Sequence, residues 1–171
     1  MKNSTKKITL SAIFSALALI SFLIESLFPP LFIPGARMGI SNIFILLALL
    51  VIDVKYAYVA LIIKCVLGSL FIGNFSAVIY SLPSNLIALT IEILLLYFVK
   101  NLSIVSISVL GATVSTLIQT LIFSLVSNAV EYLIYLPYLV LIAIISGAII
   151  GLTVHFIIKN KLFIKVLGDL S

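Results

Sequence analysis

Three polar side chains, Lys64, Glu92 and Gln119, interrupt long apolar segments of this sequence. A charged group in an apolar environment is costly unless it is paired or holds a ligand, so such residues mark either a structural ion pair or a binding site. General acid–base catalysis would need a second carboxylate or another base at a matching spacing, and neither accompanies them. The pattern therefore favours binding or structural pairing, and we expect no enzymatic activity.

A further candidate lies in the longest interruption of the apolar sequence, residues 29–42, which read PPLFIPGARMGISN. This stretch holds three of the five prolines and Arg37, the only arginine in the chain. Proline removes a backbone donor and glycine tolerates positive φ, so the composition indicates a shaped loop and not a continuous helix. The Arg37 guanidinium is a candidate anion anchor in that loop.

The segments that must position these residues are those of an integral membrane protein. Of 171 residues, 64% are hydrophobic and 9% are charged, whereas soluble domains have about 25% charged residues. The apolar runs are continuous and do not alternate, which predicts membrane-spanning helices and not barrel strands. The sequence therefore predicts an all-α, multi-pass protein of the cell membrane, with residues 1–171 forming a single transmembrane domain.

Other classes of site are not indicated. The net charge of +5 comes from lysines at segment ends, which is typical of helix orientation in the bilayer and not of nucleic-acid binding. Cys65 is the only cysteine, so the sequence contains no cysteine metal cluster. We expect no metal and no cofactor.

Six apolar segments predict six transmembrane helices. A segment of apolar residues at 76–83 is too short to span and is expected to be a loop. With six helices, both termini and eight of the ten basic residues fall on one side, so both termini are expected to be cytoplasmic and the 29–42 loop external. The predicted helices cover residues 8–28, 39–52, 56–72, 84–99, 102–127 and 137–158.

With these bounds, Lys64, Glu92 and Gln119 each lie eight residues from the outer end of a helix, or about 12 Å deep at 1.5 Å per residue. The three side chains would form one layer beneath the Arg37 loop. Two interpretations stay open: the layer is the floor of an outward-facing pocket, or Lys64 and Glu92 form an ion pair that fixes helix packing. Three asparagines flank the outer loops, where they line the same site or cap helices: Asn42, Asn74 and Asn85.

Small residues recur at four-residue spacing on three of the predicted helices, and such faces let membrane helices approach closely. Internal packing is the simplest explanation. For the first helix, contact with another protein is the alternative. The residues are Ser11, Ser15, Ala12 and Ala16 on the first helix, Gly111 and Ser115 on the fifth, and Ala143, Gly147 and Gly151 on the sixth.

The segment IPGARMGISN at residues 33–42 resembles the signature of the Gx transporter family, some of whose members are labelled heptaprenyl diphosphate synthase component I. The resemblance continues through LGSLFIGNF at 67–75, through SVLGA at 108–112 to Gln119, and through YLP at 135–137. The sequence departs from the family pattern in three places. Lys64 stands where arginine is common, Ser84–Asn85 where a glycine pair is common, and Ser115–Thr116 in place of a more polar pair before Gln119.

That family is similar to the S components of energy-coupling-factor (ECF) transporters, which are six-helix, substrate-binding membrane subunits. The resemblance implies an S-component-like bundle that captures a small solute from outside, driven by a membrane coupling subunit and cytoplasmic ATPases, since the chain has no P-loop of its own. Ala12 and Ala16 would contact the coupling subunit. The substrate-binding residues would be Arg37, Gly39, Asn42, Lys64, Asn74, Asn85, Glu92 and Gln119.

The family label supports an alternative, a non-catalytic membrane factor in prenyl diphosphate or quinone metabolism. Prenyl diphosphate synthases hold Mg²⁺ and diphosphate with clustered aspartates, because hard cations need oxygen ligands. Asp53 and Asp169 are the only aspartates here and lie far apart. Independent prenyltransferase activity is therefore not expected.

Overall fold

The computed structural model describes residues 2–27, 39–99 and 101–160, and these residues form helices and connecting turns without strands. Arg37 lies outside the described residues. A short 3-10 helix, Val130–Tyr135, precedes the last α-helix. The α-helices are α1 (Lys2–Leu27), α2 (Asn42–Val51), α3 (Val54–Ile72), α4 (Ala77–Phe98), α5 (Ile104–Val126) and α6 (Leu136–Lys159).

Five helices in the described part of the chain are long and apolar enough to cross a membrane: α1, α3, α4, α5, and α6 together with the preceding 3-10 helix. Helix α2 has only ten residues, which is about 15 Å of helix and half of a hydrocarbon core about 30 Å thick. The fold is therefore that of an all-helical, multi-pass membrane protein. Six complete spans and cytoplasmic termini remain predictions.

Helix α2 is buried at the centre of the bundle, where it packs against α1, α3 and α6. Every side chain from Ile45 to Leu49 is buried. Asn42 lies nine residues before the end of α2 and Lys64 ten residues after the start of α3, and the two side chains are hydrogen-bonded. Helices α2 and α3 therefore form an antiparallel hairpin, and α2 begins level with the middle of α3.

Helix α4 differs most from the sequence prediction. The expected loop at 76–83 is wrong, because α4 begins at Ala77 and includes Pro83. Proline has no N–H to donate to the carbonyl four residues earlier, yet membrane helices tolerate it when nearby side chains satisfy the backbone. The carbonyl that loses its usual donor is that of Ile79. Two side chains just after Pro83 also bond to the helix backbone, since Ser84 Oγ and Asn85 Nδ2 both donate to the Ser81 carbonyl, at 3.0 and 2.7 Å.

Glycines bring α5 and α6 into direct backbone contact. A Cβ added to Gly147 would lie 2.8 Å from the Cα of Val109, and one added to Gly151 would lie 2.6 Å from the Cα of Val105. Real side chains do not approach so closely, so only glycine fits at these two positions. The prediction that the small residues of the last helix serve close internal packing is confirmed for this pair of helices.

Candidate functional site

A polar cavity lies among α2, α4 and α5, with apolar walls completed by α3 and α6. Its volume is about 30 Å³. A single water needs roughly 10–15 Å³ by this measure, so the cavity has room for about two waters and is too small for an organic solute. The polar lining residues are Asn42, Asn85, Glu92, Ser108 and Ser115, and the apolar ones include Ile45, Leu61, Leu89 and Ile150.

Lys64 lies behind the α2 end of the cavity. Its Nζ donates to Asn42 Oδ1 at 2.6 Å and lies 5.8 Å from the centroid of the Phe22 ring. The side chain is 4% exposed and is not one of the residues that line the cavity. Asn42 therefore separates the ammonium from the cavity, and the two polar groups fix the start of α2 against α3.

Glu92 is the one residue with a formal charge among the residues that line the cavity. On α5, a Cβ at Gly111 would overlap the carboxylate of Glu92, so the absence of a side chain at Gly111 creates the space that Glu92 occupies. The carboxylate is therefore held against the backbone of α5, at the edge of the cavity.

Asn85 joins the remaining polar groups of α4 and α5. Its Nδ2 donates to the Ser81 carbonyl at 2.7 Å, which turns its Oδ1 towards α5. There Oδ1 accepts a hydrogen bond of 3.3 Å from Ser115 Oγ. Ser108, two turns earlier on α5, is 3% exposed and also lines the cavity. Polar residues from two helices thus line the same small space.

A chain of hydrogen bonds connects the start of α2 to α1. Glu25 Oε1, near the end of α1, accepts from the Gly39 N–H at 2.5 Å. The Gly39 carbonyl accepts from the Asn42 N–H at 2.8 Å, and Gly39 has a φ of +67°, which favours glycine. Asn42 continues the chain to Lys64 through its side chain.

The structure brings together only some of the sequence-predicted site residues. Asn42, Asn85 and Glu92 line the cavity, and Lys64 and Gly39 adjoin it through Asn42. Gln119 is not one of the residues that line the cavity, and Asn74 is exposed in the turn after α3. Ala12 and Ala16 are exposed on α1, and Arg37 lies outside the described residues.

Glu92 does not lie at the depth that was predicted for the polar layer. Lys64 lies eight residues before the end of α3 and Glu92 lies fifteen residues after the start of α4, which correspond to about 12 and 22 Å along the two helices. The difference arises because α4 begins seven residues earlier than predicted. The cavity accordingly extends along α4 from Asn85 to Glu92.

Ser108 and Ser115 were missed as site residues. Together with Gly111 they lie at positions i, i+3 and i+7 of α5, so they share one face of that helix. This spacing is the signal that could have found them, but small residues at such spacing also occur at simple packing faces. In the described part of the chain, no group of three or more His, Cys, Asp or Glu side chains could hold a metal ion.

Comparison with known proteins gives one match. No curated protein and no solved structure matches the chain. The family model described as heptaprenyl diphosphate synthase component I matches residues 14–157, a range that includes the cavity, α2 to α5, the second half of α1 and nearly all of α6. A match over this share of the sequence shows that the chain belongs to the heptaprenyl diphosphate synthase component I family.

Proposed function

We propose that the protein is a non-catalytic membrane component in prenyl diphosphate or quinone metabolism. The observation that supports this function is the family match over residues 14–157. The two aspartates of the chain are 116 positions apart, at Asp53 and Asp169, and the described residues hold no cluster of acidic side chains suited to Mg²⁺. The chemistry of chain elongation would therefore belong to a partner enzyme, which this protein assists from the membrane.

The residues in and beside the cavity offer a way to test this role by substitution. Isoprenoid chains are apolar and suit the lipid-facing surfaces of the bundle, whereas the polar residues lie inside it. Lys64 and Asn42 fix the start of α2. The end of the Glu92 side chain occupies the space that Gly111 leaves free by having no side chain. We expect the arrangement of these residues to determine whether the bundle can support its partner.

Deletion of the gene tests this function through the cellular quinones. We expect shorter side chains or a smaller quinone pool, restored by the wild-type gene but not by Lys64→Gln. Lys55→Gln is the matched control, because Lys55 is an exposed lysine at the start of the same helix. Quinones are extracted and their side-chain lengths measured by mass spectrometry. An unchanged quinone profile in the deletion strain would contradict the proposal.

A second candidate function is capture of a small solute as an S-component-like subunit of an ECF-type transporter. It is favoured by the half-length helix α2, which begins beside a polar cavity inside the bundle. Interrupted helices with polar ends inside the membrane occur at the substrate sites of transporters. The cavity would have to enlarge, since about 30 Å³ does not admit an organic solute.

Under this second function, Ala12 and Ala16 on the exposed face of α1 would contact a coupling subunit. Ala16→Trp should then reduce co-purification with a coupling subunit and ATPases. Leu17→Trp is the matched control, because Leu17 is also exposed on α1 but points about 100° away from Ala16 around the helix axis. Failure of the wild-type protein to co-purify with any ATPase module would exclude this candidate and leave the quinone test unaffected.

A further inference from the structure

We propose that the 3-10 helix Val130–Tyr135 lies in the headgroup layer of the membrane and anchors one end of the bundle there, with phospholipid headgroups and glycerol esters as its binding partners. This helix joins α5 to α6. The inference depends on neither of the two candidate functions. It is based on the exposed side chains of the 3-10 helix, the tyrosines around it and the length of α6.

The exposed side chains of the 3-10 helix suit neither water nor hydrocarbon alone. Val130 is 68% exposed and Ile134 is 71% exposed, which would leave a large apolar area in water. Glu131 is also exposed, and a carboxylate that faces lipid acyl chains is costly. The headgroup layer accommodates both kinds of side chain, because apolar groups reach the acyl boundary there while charged groups stay hydrated.

An aromatic cluster surrounds the 3-10 helix. The Phe123 ring, near the end of α5, lies 5.4 Å from the Tyr80 ring and 4.8 Å from the Tyr132 ring between centroids. Tyr132 in turn contacts Tyr135 at 5.9 Å. Tyrosine is enriched where a membrane meets water, because its ring is apolar and its hydroxyl is polar. The cluster therefore packs the 3-10 helix against the start of α4 and the end of α5 with residues typical of the interface.

The tyrosines of the chain mark two levels along the bundle. All seven lie among the first or last five residues of a helix. Tyr80 and Tyr97 are 17 residues apart on α4, or about 26 Å, which is close to the hydrocarbon thickness of about 30 Å. The two levels therefore correspond to the two faces of the membrane, and the 3-10 helix belongs to the level of Tyr80.

The exposed surface of the 3-10 helix continues the lipid-facing side of α6. Tyr138, Leu141 and Ile145 are exposed at spacings of three and four residues, so they share one side of α6. Tyr135 lies one turn before Tyr138 and is also exposed. Because an exposed apolar side of a membrane-spanning helix faces lipid, lipid is also the partner that the adjoining 3-10 helix meets.

Helix α6 does not need the 3-10 helix in order to cross the membrane. Its 24 residues measure about 36 Å at 1.5 Å per residue, which already exceeds the hydrocarbon core. The chain also turns sharply before the 3-10 helix, since Asn128 has a φ of +49° and Ser124 Oγ donates to the Ala129 carbonyl at 3.2 Å. These contacts keep the 3-10 helix beside the end of α5, and we expect it to lie along the membrane plane.

Tryptophan fluorescence tests the assignment, because the chain contains no tryptophan and each introduced one reports a single position. Full-length Val130→Trp and Tyr135→Trp are reconstituted separately into phosphatidylcholine vesicles whose acyl chains carry bromine near the glycerol end or near the methyl end. Bromine near the glycerol end should quench both variants at least twofold more strongly than bromine near the methyl end. The two tryptophans should report similar depths, whereas a 3-10 helix along the axis of α6 would separate them by about 10 Å.

Ile145→Trp is the matched control, because Ile145 is 63% exposed near the middle of α6. Bromine near the methyl end should quench this variant more strongly. If Tyr135→Trp does not fold, Tyr138→Trp replaces it, since Tyr138 is 61% exposed in the first turn of α6.

Three results would overturn the proposal. A depth profile at positions 130 and 135 like that of Ile145→Trp would put the 3-10 helix in the hydrocarbon core. Absence of quenching by either lipid would put it in water or beneath protein. A clear difference in depth between the two positions would show that the helix does not lie along the membrane plane.

Discussion

Helix α5 packs against its two neighbours in different ways. Towards α6, its backbone at Val105 and Val109 lies directly against Gly151 and Gly147. Towards α4, its own Gly111 faces the carboxylate of Glu92. Glycine permits close approach on both sides, but one side gains van der Waals contact between backbones and the other accommodates a charged side chain. The same small-residue pattern thus builds a packing seam in one place and a polar cavity in the other.

The largest effect is expected at the seam. Gly151→Leu would place a side chain where even a Cβ lies 2.6 Å from the Cα of Val105. Because backbone cannot move aside as a side chain can, we expect a loss of stability above about 4 kcal/mol and little folded protein. Size-exclusion chromatography in detergent measures the amount of folded protein, and thermal melting in detergent measures the loss of stability.

Ile149→Leu is the control for this substitution, since Ile149 is 59% exposed on the same helix. It should melt within about 1 °C of the wild type, as surface substitutions usually do. If Gly151→Leu behaves in the same way, the backbone contact between α5 and α6 does not exist.

An intermediate effect is expected beside the cavity. Gly111→Ala adds a Cβ that overlaps the Glu92 carboxylate, and overpacking of this kind costs about 1–3 kcal/mol. The cost should fall strongly in a Glu92→Ala background, because the obstructing group is then absent. Unfolding free energies of the two single variants and the double variant give the coupling between these positions.

Gly147→Ala is the matched control, since its closest neighbours are Val109 and Ala112 and not Glu92. It should cost the same in the wild-type and Glu92→Ala backgrounds. Equal coupling of Gly111 and Gly147 to Glu92 would remove the distinction between the two sides of α5.

The smallest effect is expected at the start of α2. Ser41 Oγ is buried and has no hydrogen-bond partner in the described part of the chain. Because an unsatisfied buried hydroxyl is costly, Ser41→Ala should leave stability unchanged or raise it by about 1 kcal/mol. Ser84→Ala, which removes a buried hydroxyl that donates to the Ser81 carbonyl, should instead lower stability. Thermal melting should therefore show a lower melting temperature for Ser84→Ala but not for Ser41→Ala, and destabilisation by Ser41→Ala would disprove the assignment.

The sequence was most informative where a polar residue interrupted an apolar segment. Lys64 and Glu92 could be singled out because a charged side chain in an apolar segment needs a reason, and Asn42 and Asn85 because they flank predicted outer loops. All four lie in or beside the cavity. The all-helical membrane fold followed from composition and the length of the apolar runs. These inferences depend on residue type alone.

The depth and direction of side chains were harder to predict. The apolar stretch 76–83 was predicted to be a loop because it is too short to span, but α4 includes it from Ala77 onwards, so depths counted from position 84 were too small. Gln119 lies one turn beyond Ser115 on α5, about 6 Å further along the axis, and falls outside the cavity lining. The hydrogen bond from Gly39 to Glu25 joins residues 14 positions apart, and no local pattern reports such a contact.

The pairing of Asn42 with Lys64 also bears on how the chain enters the membrane during synthesis. A lysine at the centre of an inserting helix costs about 2.5–3.5 kcal/mol on translocation scales, and α2, with ten residues, is too short to insert as an independent span. The turn at Asp53 joins the two helices directly. We therefore expect the insertion machinery to receive α2 and α3 as one unit, in which Asn42 shields the lysine before the remaining helices are made.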